Sequence, residues 1–241
     1  MKRKISKNNK EFAIIENYDC LDFLPKLKKN SIDLILIDPP YLISRKTNFQ
    51  SGDLIGDDRD RFRVSMDFGK WDKVNLNFNK IFEELYRVLK PSGTIIVFWD
   101  LWKLQDLSKL LEQNKFKQLR FIEWIKTNPV PINSKINYLT NSREIAITAV
   151  KKNKPYFNSE YDNGIYYFPI ERSKLRFHPT QKSIKLFEEL IKKHSKENDV
   201  VLDCFLGGGT TAYAARNTNR KFIGCEIDEK YFKKFIELYN K

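Results

Sequence analysis

Ile32-Asp33-Leu34-Ile35-Leu36-Ile37-Asp38-Pro39-Pro40-Tyr41 is the stretch on which the reading of this chain turns. Its apolar run is rich in branched residues and predicts a short buried strand, ended by two prolines that bring no N–H to a ladder. Asp38, Pro39, Pro40 and Tyr41 then stand at a strand's carboxyl end, the edge where open α/β sheets bind ligands. Proline fixes φ and keeps the preceding residue out of the helical region, so the Asp38 carboxylate and the Tyr41 ring sit on a stiff turn. Taken alone, such a tetrapeptide also serves as a plain strand terminator.

Upstream, residues 12–16 form another short apolar run, ending near Tyr18-Asp19-Cys20. Leu21, Phe23, Leu24 and Leu27 follow at helical spacing, so the segment reads as a β-α-β unit, right-handed and parallel, that begins a doubly wound sheet. Residues 1–10 are basic and polar and read as a frayed tail within reach of phosphate. Downstream, residues 42–72 have weak periodicity and mix Arg45, Lys46, Arg59, Arg61 and Arg63 with Asp57, Asp58 and Asp60. A loop of that length is either functional or a solvated excursion, and its position after the tetrapeptide suits a mobile lid that orders on a substrate.

Beyond it, residues 78–89 carry apolar positions at helical spacing and close at Lys90-Pro91-Ser92-Gly93. Residues 94–99 predict a buried strand and 102–113 a helix. Residues 121–126 and 144–150 predict two strands that pair antiparallel at a sheet edge, around a loop carrying Pro129 and Pro131.

At 241 residues the chain accommodates a single α/β domain. Its 44 lysines and arginines against 31 acidic residues leave a net charge of +13, a field that favours a polyanion, with nucleic acid the leading partner. Segments 128–142 and 151–177 are the candidates for DNA recognition. In the second, aromatics such as Tyr156, Phe157, Tyr161, Tyr166 and Tyr167 interleave with Lys and Arg, a pattern suited to phosphate contact and base stacking, or to packing a small subdomain. Three cysteines without Cys-x-x-Cys spacing point to a reducing compartment and away from a metal site. No apolar stretch approaches the roughly 18 residues that span a bilayer, so the expectation is a cytoplasmic protein with no membrane partner.

The second constellation lies far downstream. After His178-Pro179-Thr180-Gln181-Lys182 and a helix over 183–194, residues 199–205 predict a strand. Leu206-Gly207-Gly208-Gly209-Thr210-Thr211 and an Ala-rich helix follow at once. Strand, glycine turn and helix start together let backbone approach a ligand and offer unsatisfied N–H groups. Glu226 ends the next strand about twenty residues on, a location that suits the hydroxyls of a ribose. No Gly-Lys-Ser or Gly-Lys-Thr follows the glycines, which disfavours a Walker-type loop.

Taken in order, Asp38-Pro39-Pro40-Tyr41, His178-Pro179-Thr180-Gln181-Lys182 and Asp203-Cys204-Phe205-Leu206-Gly207-Gly208-Gly209-Thr210-Thr211 resemble the β class of DNA amino-methyltransferases, the S-adenosylmethionine enzymes of restriction-modification systems. The resemblance covers nearly the whole chain. It implies a doubly wound, mostly parallel seven-stranded methyltransferase sheet, with an antiparallel edge hairpin, helices on both faces and a circularly permuted motif order. It also implies transfer of a methyl group to N6 of an adenine flipped into the Asp38-Tyr41 pocket, where Asp38 and the Pro39 carbonyl accept the amine hydrogens and Tyr41 stacks on the base. Asp19 and Cys20 would meet the cofactor adenine, Glu226 its ribose, and Asp203, Thr210, Thr211 and Lys182 its methionine end, with Phe205, Gly207 and Gly209 also against the cofactor. For Asp19 an ordinary helix N-cap is the competing role. Partners in such systems are DNA, a second copy of the chain and a separately encoded restriction endonuclease.

The chain departs from the family at Cys204 and Ser183, where proline is usual, and at Gly208, where serine is usual. N4-cytosine methylation uses similar geometry, and a non-catalytic basic nucleic-acid-binding domain is the alternative outside enzymes. A protein-glutamine methyltransferase would carry Asn at position 38 and an upstream glycine loop.

Overall fold

The computed structural model describes residues 2–7, 10–40, 76–129, 140–172, 177–178 and 181–239. Two units are distinguished, Met1–Pro39 with Asn77–Lys241, and Pro40–Leu76. Of the second only Pro40 and Leu76 are described, so Tyr41 and the expected lid over 42–72 lie outside the described residues.

The larger unit runs β1 (Lys2–Lys7), β2 (Lys10–Asn17), α1 (Cys20–Phe23), β3 (Ile32–Ile37), α2 (Phe78–Val88), β4 (Leu89–Trp99), α3 (Leu104–Gln113), β5 (Lys117–Lys126), β6 (Arg143–Val150), β7 (Ile165–Phe168), α4 (Ile184–His194), β8 (Val200–Asp203), α5 (Thr210–Asn217), β9 (Lys221–Glu226) and α6 (Glu229–Tyr239). One mixed sheet has the order β1-β2-β9-β8-β3-β4-β6-β5-β7. β2, β9, β8, β3 and β4 are mutually parallel. β6 runs antiparallel between β4 and β5, the expected hairpin.

β3 sits at the centre with every residue buried except Asp33, as a strand covered on both faces must. Its alternate side chains divide between two layers. Leu34 and Leu36 join Ile96, Phe98, Phe187, Leu190, Tyr213 and Phe235 in one core beneath α4, α5 and α6. Ile35 and Ile37 lie outside that core, fully buried, as do Ile81, Phe82 and Leu85 of α2. Asp33 is tied where strands begin, Oδ1 accepting from Lys90 Nζ (2.6 Å) and Oδ2 from Val200 N–H (3.0 Å).

Several expectations change. Residues 2–7 are not a frayed tail but an edge strand, paired antiparallel with β2, because the apolar β2 would otherwise expose a ladder edge that a lysine-rich strand safely blunts. The strands flanking α1 are parallel but not neighbours; β9 and β8 lie between β2 and β3. The sheet has nine strands among the described residues instead of seven, with β1 and β7 added at its two ends. β7 gives part of the aromatic segment a regular place, since Trp124 Nε1 donates to Phe168 O (2.8 Å) and Tyr166 is buried. Tyr161 and Tyr167 remain exposed. No described helix is long and apolar enough to cross a membrane.

Candidate active site at the carboxyl edge of the sheet

Parallel strands end on the same side, so β3, β4, β8 and β9 deliver Asp38, Asp100, Asp203 and Glu226 to one edge. The β3–β8 register, Leu34 opposite Val201 and Ile35 opposite Leu202, brings Asp203 opposite Leu36, two residues before Asp38 on the neighbouring strand. β5 ends and β6 begins at the same edge, because Trp99 pairs with Ile145 and Trp124 with Glu144.

Two polar clusters result. In the first, Asp38 Oδ2 lies 2.8 Å from Lys182 Nζ, which lies 2.8 Å from Glu144 Oε2, and Glu144 Oε1 lies 2.7 Å from Lys126 Nζ. Asp38 Oδ1 is buried with no hydrogen-bond partner among the described residues. Burial raises the Asp38 carboxyl above the usual range against the pull of the Lys182 ammonium, while the Glu144 charge raises it further. Burial also pushes Glu144 up, but Lys182 and Lys126 together outweigh it and leave that carboxyl below its ordinary value.

The second cluster surrounds the glycine loop. Asp203 Oδ2 accepts from Thr211 Oγ1 (2.6 Å) and Oδ1 from Phe205 N–H (2.9 Å), and burial pushes its carboxyl up to about 7, with smaller contributions from Asp38 and Glu226. Glu226 Oε2 accepts from Gly207 N–H (2.7 Å) and Oε1 from Asp228 N–H (2.9 Å), and burial raises it as well. Gly207 and Gly209 have φ of 49° and 77°, left-handed values that favour glycine, and a Cβ on Gly209 would run into the Phe235 ring. α5 begins directly after Gly209 with no side chain capping its first turn, so that turn's N–H groups face the loop. Thr210 Oγ1 reaches Lys182 O at 3.5 Å.

The loop before α4 lies against these glycines. Gln181 Oε1 accepts from Phe177 N–H (3.3 Å) and would stand 2.7 Å from a Cβ on Gly208, so Gln181 fills the space where the family usually carries a serine side chain. His178 packs on Tyr231 at 4.4 Å between rings, and burial with the nearby Lys182 charge pushes it down to about 4, leaving it neutral. Pro179 and Thr180 lie outside the described residues.

Asp19 and Cys20 arrive next to β9, since Tyr18 N–H donates to Glu226 O (3.1 Å). Asp19 caps α1, Oδ1 accepting from Leu21 N–H (2.7 Å). Burial, then Asp19, pushes the Cys20 thiol up to about 12, and burial raises Cys204 and Cys225 well above the ordinary value, so all three thiols are neutral and unsuited to nucleophilic work.

The structure thus gathers Asp38, Asp203, Phe205, Gly207, Gly209, Thr210, Thr211 and Glu226 on one edge, with Asp19 and Cys20 beside Glu226. Lys182 stands in the Asp38 cluster. Glu144 and Lys126 were missed. The available signal was Glu144 as the lone acidic residue in a strand otherwise of Ile, Ala, Thr and Val after Arg143, and Lys126 at the end of its partner strand.

Chemically, the fit to a nucleoside cofactor is good: left-handed glycines, a helix start and two buried carboxyl groups lie together at one edge of the sheet. Among the described residues no group of His, Cys, Asp and Glu is arranged to hold a metal ion.

Residues 32–237 match the family model described as DNA methylase. The Type II methyltransferase M2.LlaDCHI of Lactococcus lactis subsp. cremoris is 36% identical over 253 aligned positions, spanning 96% of this chain and 91% of the relative. The Type II methyltransferase M2.DpnII of Streptococcus pneumoniae is 35% identical over 246 positions, 93% of this chain and 88% of its own. Among solved structures, the M1.HpyAVI–SAM complex superimposes with a TM-score of 0.67 at 28% identity, covering 93% of this chain and 98% of that one. PvuII DNA methyltransferase (cytosine-N4-specific) reaches a TM-score of 0.70 at 17% identity over 94% of this chain and 86% of that one, a likeness of fold.

Proposed function

We propose a reaction for this chain, which belongs to the DNA methylase family: methyl transfer from S-adenosylmethionine to N6 of adenine in DNA. The observation that carries the reading is the pairing of β3 with β8, which brings the Asp38 carboxylate, one oxygen buried and without a hydrogen-bond partner among the described residues, to the same edge as the Asp203 and glycine-loop cluster.

Gly207, Gly209, Asp203, Phe205, Thr210, Thr211 and Glu226 would hold the cofactor, with Asp19 and Cys20 at its adenine. When bound, S-adenosylmethionine supplies an electrophilic methyl group on sulfonium, which the amine nitrogen takes up with loss of one proton and release of the thioether. That nitrogen is a poor nucleophile because its lone pair is conjugated into the ring. Asp38 Oδ1 and the Pro39 carbonyl accept the amine hydrogens and draw the lone pair out of conjugation, an interaction that strengthens as positive charge grows on nitrogen. Burial keeps the carboxylate poorly solvated and so a stronger acceptor than in water. A base reaches this edge only when flipped from the duplex, at a cost of a few kcal/mol. Tyr41 is the proposed stacking partner of the flipped base.

The net charge of +13 supports DNA as the polyanion. Asp at position 38, rather than the serine common before such prolines in cytosine enzymes, supports adenine over the amino group of cytosine. A recognition role for segments 128–142 and 151–177, a homodimer and a cognate restriction endonuclease belong to the same proposal. Incubation with tritiated cofactor and mixed-sequence DNA, followed by digestion to nucleosides, should recover label in N6-methyladenine. Label confined to cytosine would reject the adenine reading and leave the fold argument intact.

A further inference from the structure

Lys126, Glu144, Lys182 and Asp38 form a line of alternating charge, with successive N–O separations of 2.7, 2.8 and 2.8 Å. The Lys182 side chain is 6% exposed, so its ammonium has lost its water and depends on the two carboxylates that flank it. Both contacts fall on one nitrogen, so the charge of Lys182 is divided between Asp38 Oδ2 and Glu144 Oε2. Asp38 is therefore pinned through one oxygen, and its other oxygen is left without a hydrogen-bond partner among the described residues.

We propose that Lys182 is a positioning residue for methyl transfer, fixing the rotation of the Asp38 carboxylate so that Oδ1 faces the target amine, and that Glu144, steadied by Lys126, sets how much of the Lys182 charge Asp38 receives. This rests on the reading of Asp38 as the acceptor for that amine. Among the described residues, the charged groups facing Asp38 are Lys182 from the turn before α4, Glu144 from β6, Lys126 from β5 and Asp203 from β8. Burial pushes the Asp38 carboxyl up, Lys182 pulls it down and Glu144 pushes it up. Removing the charge at Lys182 and at Glu144 therefore moves Asp38 in opposite directions, which a packing defect does not do.

The test is the pH dependence of methyl transfer to DNA by the full chain, with cofactor affinity followed by calorimetry. Lys182→Met should lower kcat about a hundredfold by freeing the carboxylate to rotate, move the acid limb of the profile to higher pH and leave cofactor affinity unchanged. Lys182→Arg should recover part of the rate. Glu144→Gln, nearly isosteric, should move the acid limb to lower pH by about one unit, with KM for DNA unchanged. Titration of the Asp38 carboxyl carbon by NMR, wild type against Glu144→Gln, reads the same shift without turnover and decides the matter should Lys182→Met not fold.

Acid limbs that coincide with the wild type, or that move together in both variants, overturn the proposal. So does a Lys182→Met protein that keeps its acid limb and loses the cofactor, which would put Lys182 in the cofactor site. Failure of the underlying reading is seen separately, in Asp38→Asn: a variant that retains the wild-type rate removes Asp38 from the acceptor role.

Discussion

The two polar clusters at the carboxyl edge treat their carboxylates differently. Around Asp38, acids and lysines alternate, so the charge is balanced inside the cluster. Around the glycine loop, Asp203 and Glu226 are met by backbone N–H groups and the Thr211 hydroxyl, neutral donors that orient the oxygens without cancelling their charge. In the proposed reaction the first arrangement presents the Asp38 carboxyl to a neutral amine. The second has only neutral donors around two carboxyl groups that burial raises, so a ligand bearing a positive centre and hydroxyl donors would suit it. One edge can thus serve two substrates of different electrostatic character, because balance is set locally by where the lysines fall, Lys182 in the turn before α4 and Lys126 at the end of β5.

The sharpest way to break this contrast is Asp38→Ala. Methyl transfer should fall by about 10² to 10⁴-fold while calorimetry with S-adenosylmethionine still shows binding; an unchanged rate would merge the two clusters into one structural network. Next in size is Gly209→Val, which places a side chain at a φ of 77° and against the Phe235 ring. Strain of this kind costs about 1–3 kcal/mol, so the melting temperature should drop and cofactor affinity should weaken more than in Asp38→Ala. An unchanged melting curve would mean that the loop opens at no cost.

A third measurement uses pH. Asp203 has an ordinary value of 3.8 and is pushed up to about 7 in the fold, so it favours the protonated acid when folded. Its contribution to stability is present below about 4 and is lost as pH rises through about 7. His178 and His194, both pushed down to about 4 by burial, act in the opposite sense over the range between 4 and 6.5. The difference in melting temperature between wild type and Asp203→Asn isolates the acid: it should fall steadily between pH 4 and pH 7 and level off above. A flat difference would show that neutral donors alone hold Asp203 ionised. The smallest effect is expected at the far edge, where Lys2 Nζ lies 2.9 Å from Glu16 Oε1 with its side chain 53% exposed. Lys2→Ala should change stability by no more than about 0.5 kcal/mol, the exposed counterpart of the buried pair at Asp38.

Much of this was legible in residues. The branched run ended by Pro39 and Pro40 marked β3 and its functional end, and the glycine turn between a strand and an Ala-rich helix marked the second cluster. Local rules sufficed there because prolines and left-handed glycines constrain backbone within a few bonds. The order of strands was not legible. β8 and β9 enter between β2 and β3, and nothing in residues 10–37 records that two strands from the end of the chain will separate them. β1 was missed because a lysine-rich segment has no strand periodicity; it is extended only because β2 presents an open edge.

Lys182 illustrates the same division. Its neighbours in sequence tie it to the turn before α4 and the glycine loop, yet its ammonium is set between carboxylates 144 residues upstream and 38 residues upstream. Apart from β1 and β7, the amino-acid order by itself determined the kind of the main elements, the strand end that carries Asp38, the glycine loop and the family. Only the tertiary structure decided which strand ends share an edge, and therefore which charges meet at Asp38. Hydrogen-bond ladders and buried ion pairs join residues far apart in sequence, and their strength depends on separations of a few ångströms and on loss of water, quantities that exist only once the sheet has closed around β3.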